Sequence, residues 1–131
     1  MKENTLLRQA VADRLRAELA PDLVNQVFDT WLIIEPSEMP AVIVHHDDGE
    51  LNDEYLDRGE RYNCQFNCSI YLEGTRSDAD LDDLAEAIKA IIPQGYRFAG
   101  LGQVFRTGFQ YERSESGAYR ALHLIHQFKA E

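Results

Sequence analysis

Apolar residues recur at helical spacing in two stretches of this chain and at every second position in several others. Between Thr5 and Ala20, the residues Leu6, Leu7, Ala10, Val11, Leu15 and Leu19 form one stripe, with Arg8, Asp13, Arg14 and Arg16 largely outside it. That pattern predicts a first helix, capped by Asn4 or Thr5 and ended before Pro21, which cannot continue a helix interior. "LVNQVFDTW" reads as a short extended segment, Pro36 and Pro40 bracket a turn, and "AVIVHH" is a β-branched strand. From Tyr62 to Leu72 the alternation is nearly perfect: Tyr62, Cys64, Phe66, Cys68, Ile70 and Leu72 share one face, and Asn63, Gln65, Asn67, Ser69 and Tyr71 the other.

Ser77 with Asp80 resembles a weakened capping box, and Leu81, Leu84, Ala85, Ile88, Ile91 and Ile92 then repeat as a second helix that Pro93 and Gly95 end. "QVFRTGFQYE" and "YRALHLIHQF" flank "RSESGA" as a hairpin, with Leu122, Leu124 and Phe128 facing the helices and Gly108 suggesting a bulge or a close backbone approach. "YRFAGLG" stays unassigned. The predicted architecture is α+β: one domain over residues 1–131, a mixed and mostly antiparallel sheet, and two main helices packed on a face.

Composition adds charge to this picture. The 131 residues carry 23 acids against 13 Lys plus Arg, a formal net charge of −10. Half of it sits in "DDGELNDEYLDRGER", a connection of fifteen residues between the second and third predicted strands, and a connection that long is usually functional or mobile. Such a balance opposes nucleic-acid binding, because phosphate would be repelled. No stretch approaches the ~20 apolar residues of a membrane span, and "MKENTLLRQA" lacks the apolar core of a signal peptide, so the expected compartment is the cytoplasm and no membrane partner is expected.

The two cysteines, Cys64 and Cys68, are the first candidates for chemistry. Four residues apart on a strand they stand roughly 13 Å from each other, about twice what a disulfide tolerates, and too far to clamp one zinc. Core packing in a reducing compartment is the plainer reading. "HHDD" invites a metal, but His45 and His46 point to opposite faces of a strand, as do His123 and His126 three residues apart. A site of His46 and Asp48 with distant partners is the metal alternative, against exposed strand-end residues. No nucleophile elbow, dinucleotide fingerprint or lysine-bearing phosphate loop occurs, so neither catalysis nor a cofactor is expected.

In order, "TLLRQAVADRL", "FDTW", "PAVIVHHDD", the acidic loop, "CQFNCSIYL" and the closing "TGFQYERSESGAYRALHLIHQF" resemble minor tail protein U, the tail-terminator family of lambda-like bacteriophages. The resemblance implies a structural protein of phage or prophage, without catalysis. It implies a homohexameric ring that caps the tail tube, halts its growth and offers a surface for head joining, formed in host cytoplasm and carried in the virion tail. Its partners would be copies of itself, the tail tube protein and the head-tail joining protein, with DNA passing through the pore without specific binding.

Six such chains would carry −60 formally, so a pore lined by these acids would let a duplex slide. Asp47, Asp48, Glu50, Asp53 and Glu54 of the acidic loop are the candidates for that pore or for a ring face. A closed ring needs two different patches per subunit. Candidates are the sheet edge, the aromatics Trp31, Tyr71 and Tyr111, taken as solvent-facing, and Arg76 and Arg113 beside strand ends. The alternatives are a small acidic cytoplasmic adaptor that binds a basic partner, and a small acidic enzyme or metal protein.

Overall fold

The computed structural model describes residues 1–51 and 62–131. Its elements are α1 (Lys2–Glu18), β1 (Gln26–Phe28), a single 3-10 turn (Pro36–Glu38), β2 (Ala41–Leu51), β3 (Tyr62–Glu73), α2 (Asp78–Ile91), β4 (Tyr96–Phe98), β5 (Gly102–Arg113) and β6 (Tyr119–Ala130). The six strands form one sheet in the order β1-β2-β3-β6-β5-β4. Only β1 and β2 run parallel; every other pair is antiparallel. This is the α+β arrangement that the periodicities predict.

β3 lies at the centre, and its alternation holds. Cys64, Phe66, Cys68, Ile70 and Leu72 are all buried in one apolar cluster with α1, α2 and the inner faces of β2 and β6. Phe66 is fully buried, which stabilises by roughly 1.5–3 kcal/mol for a side chain of that size. Both cysteines are free and buried. Burial pushes their thiols up, Cys64 to about 11 and Cys68 to about 12, so neither is a thiolate near neutrality.

α2 begins where the sequence places it: the Ser77 hydroxyl accepts from the Asp80 amide, and the Asp80 carboxylate accepts from the Ser77 amide. Its apolar stripe, Leu81, Leu84, Ala85 and Ile88, is buried. α1 differs from expectation by starting at Lys2, with Asn4 and Thr5 inside the first turn instead of capping it. Glu3 supplies the negative charge that a helix N-terminus favours, and the helix needs no side-chain cap there. Leu6 is also exposed, because the buried stripe is centred on Leu7, Val11 and Leu15 and a neighbouring residue sits about 100° away.

Three arginines of α1, read in the sequence only as its polar side, bind backbone carbonyls. Arg16 donates twice to Val27 O, Arg8 to Asp29 O, and Arg14 to Ile91 O at the C-terminus of α2. They fasten α1 to β1 and to the second helix.

The acidic connection is shorter than predicted. Asp47 to Leu51 continue β2 and pair with Tyr62 to Gln65 of β3. A β-bulge permits this: His46 faces Phe66, Asp47 is the extra residue, and Asp48 then faces Gln65. Without it His46, Asp48 and Glu50 would share a parity and two carboxylates would turn toward the apolar cluster. With it Gly49 takes the inward position, where a Cβ would lie 2.8 Å from Cys64 Cβ. β5 carries the second bulge, at Thr107 between Arg106 and Gly108, one residue from the predicted position. The unassigned "YRFAGLG" forms β4 and its turn back to β5.

Candidate assembly surfaces

The sheet face turned away from the helices carries a polar network bonded across four strands, beside the buried Ala41, Ile43 and Ala121. Glu112 of β5 accepts from Tyr119 Oη at 2.6 Å and from His123 Nε2 at 2.7 Å, and both bonds hold its carboxyl below the usual range. His123 Nδ1 lies 2.6 Å from the Ser69 hydroxyl. The same hydroxyl lies 2.9 Å from His45 Nε2, and His45 Nδ1 lies 3.6 Å from an Asp47 carboxylate oxygen. Burial lowers the His45 pKa against the pull of Asp47, which keeps the ring neutral. Asp47 also accepts from Asn67 Nδ2 at 2.8 Å.

A serine, a histidine and a glutamate in a chain suggest nucleophilic catalysis, but Ser69 is 0% exposed and no substrate atom can reach it. The chain of bonds instead fixes the relative positions of β2, β3, β6 and β5. Tyr71, predicted to face solvent, packs here against Tyr119 and His123, and burial raises its hydroxyl to about 12. It is half-buried by its own fold. The network was invisible in the sequence because its members meet only through the strand order.

The remaining predicted residues separate. Asp48 and Glu50 are exposed on the far half of β2, and Asp53 and Glu54 lie outside the described residues. His46, predicted to be an exposed strand-end residue, is half-buried on the helix side, its Nδ1 3.0 Å from Arg8 Nη1, and burial and then Arg8 push it down to about 4. No group of three or more His, Cys, Asp and Glu among the described residues is placed to hold a metal ion. Among the described residues no helix is long and apolar enough to cross a membrane.

Arg76 bonds Asp80 at 3.0 Å. Arg113 reaches Asp78 at 2.5 Å, where Arg120 also binds at 2.7 Å. Asp78 thereby ties the start of α2 to the β5-β6 hairpin, and the Arg113 bond comes first among the causes that lower its pKa. Both predicted arginines thus already hold a carboxylate of their own chain.

Two apolar surfaces stay uncovered. Trp31 and Ile33, in the extended stretch after β1, are 63% and 79% exposed. On the other side of the sheet, α2 packs over β3 and β6 but stops short of β5, leaving a groove of about 580 Å³. Leu122 and Leu124 form its floor, α2 one wall, and Phe109 and Tyr111 the other. The Thr107 bulge is what turns Phe109 and Tyr111 to this side, opposite Leu124 and Leu122. Phe109 remains 66% exposed, and the Tyr111 hydroxyl donates to Asp82.

The sequence profile of a family described as phage minor tail protein U matches residues 2–129. No curated protein matches the chain. Among solved structures, a chain of the virion of a native gene transfer agent particle superimposes with a TM-score of 0.69 at 18% identity, covering 95% of this chain and 94% of that one. At that identity the likeness is one of fold.

Proposed function

The chain belongs to the phage minor tail protein U family, and from that premise we propose that it is the tail terminator, six copies of which close a ring on the end of the tail tube. It is a structural tail protein. The ring stops tube polymerisation and presents the surface to which the head-tail joining protein attaches. The observation that carries this reading is the extent of the family match, 2–129 of 131 residues, which takes in both described helices and the six described strands but for the last residue of β6.

The surfaces support it. A head-to-tail ring needs two unlike patches on each subunit, and these are unlike: the Trp31 stretch follows β1, one edge strand of the sheet, and the Phe109 groove lies beside β5 toward the other edge. Asp48 and Glu50, with Asp47 behind them, give the far end of β2 an acidic surface that suits the wall of a channel carrying DNA. Assembly in host cytoplasm and residence in the virion tail follow from this role.

Electron microscopy of the purified protein, alone and mixed with tail tubes, tests the reading. Uniform annuli and tubes capped at one end are expected. Particles assembled without this chain should carry tails of uncontrolled length. Tails of normal length in its absence would refute the terminator role.

A further inference from the structure

The exposed hydrophobic residues of a monomer are ordinarily scattered, yet here the largest of them meet two complementary shapes. Residues 31–34 lie outside every helix and strand, and their burial alternates as a strand's would: Trp31 and Ile33 are exposed, while Leu32 and Ile34 are half-buried. No backbone hydrogen bond joins residues 30–34 to another part of the chain among the described residues.

β5 offers the converse. β4 pairs with it only from Gly102 to Val104, and the Gln94 side chain then covers the Arg106 peptide by accepting from its amide and donating to its carbonyl. Beyond that point, from Thr107 to Arg113, no strand lies on the outer edge of β5 among the described residues. The groove opens beside this same edge.

We propose that residues 30–34 of a second copy of this chain add to the free edge of β5, with Trp31 and Ile33 seated in the groove against Phe109 and Tyr111. Strand addition takes its affinity from backbone hydrogen bonds and its specificity from pockets that receive alternate side chains. The end charges are of opposite sign: Asp29 and Glu35 flank the segment six residues apart, roughly 20 Å in extended chain, and Arg106 and Arg113 stand the same six strand steps apart once the bulge is discounted, each already bonded within its own chain, to Ile92 O and to Asp78. Asp82, Glu86 and Lys89 on the α2 wall complete the rim.

Trp31 and Ile33 of one copy and Phe109 of the other expose roughly 400 Å² in all, about a quarter of the ~1,600 Å² that a standard interface buries from both partners, so they form its apolar centre. The segment cannot occupy the groove of its own chain, because β2, β3 and β6 stand between β1 and β5. The contact is therefore heterologous and can propagate into a ring.

This inference rests on the self-association proposed above, and a mixing experiment separates the two. Trp31→Ala removes the inserted side chain and keeps the groove; Phe109→Glu charges the groove and keeps the segment. Both positions are exposed, so both variants should fold with the circular dichroism of the parent. Each variant alone should associate at least about 30-fold more weakly by sedimentation velocity, the loss expected of a hot-spot residue. Mixed one to one they should form a dimer that grows no further, since only one intact pair of surfaces remains. Trp31 is the only tryptophan, so in that mixture the emission of the Phe109→Glu chain should shift to the blue. Rings from either variant alone, with wild-type rings intact, would overturn the docking and leave the ring. No dimer in the mixture would overturn it too. A wild-type chain that stays monomeric at all concentrations would remove both.

Discussion

His126 should make this fold acid-sensitive in a way that one substitution can isolate. The ring is fully buried, stacked on Phe66 with centroids 4.8 Å apart, and its Nε2 lies 3.4 Å from Arg106 Nη1. Burial, and then repulsion from Arg106, push its pKa from 6.5 to about 4, only partly offset by the Leu124 and Phe66 backbone. A histidine with a folded pKa below its unfolded value binds more protons when unfolded. Its contribution is therefore fully present above pH ~6.5 and is lost as pH falls toward 4. At 1.36 kcal/mol per unit the loss is about 2 kcal/mol at pH 5 and about 3 kcal/mol by pH 4. Urea unfolding of wild type and His126→Phe, at equal low protein concentration between pH 7 and 4, measures it. The phenyl ring preserves the stack and cannot titrate. The variant should lose less stability than wild type across that window, by about that amount. Parallel pH dependences in the two proteins would refute the reasoning. His46, also held at about 4 but partly solvated, acts in the same direction in both proteins and cancels in the difference.

Four further outcomes are expected. Gly74→Ala should cost at least ~2 kcal/mol in thermal or urea unfolding, because a Cβ there would fall 1.7 Å from Gly117 O. Neither cysteine should react with a thiol reagent at neutral pH in the native protein, and both should react in urea; rapid native labelling would contradict their burial. Magnesium chloride should raise the assembled fraction in sedimentation, since subunits of charge −10 repel one another and screening acts within about 8 Å at physiological salt; a falling fraction would contradict it. Arg113→Glu should weaken rings or tube capping, and unchanged rings with normal tail lengths would remove Arg113 from the interface.

What the sequence discloses here depends on range. Tyr62 to Leu72 and the Ser77–Asp80 cap are legible because period and capping are local properties of consecutive residues. The far half of β2 is not, because "DDGEL" has poor strand propensity and acquires its pairing from β3. The same holds for the arginines of α1, whose carbonyl partners lie up to 77 positions away. Trp31 is legible in the sequence as a solvent-facing aromatic, whereas the groove depends on how far α2 reaches across the sheet, and no periodicity encodes that.

The bulges at Asp47 and Thr107 set inside and outside by counting. Closing either bulge with its residue retained would reverse the rest of its strand, turning Asp48 and Glu50 toward Phe66 in one case and Phe109 and Tyr111 away from α2 in the other, whereas deleting the extra residue would straighten the strand and leave those faces as they are. In an alignment at 18% identity, as with the gene transfer agent chain of similar fold, a gap misplaced by one position at these points would equate a core residue with a surface one. Natural one-residue deletions in these strands should therefore fall at the bulge positions themselves, where straightening the strand absorbs the change.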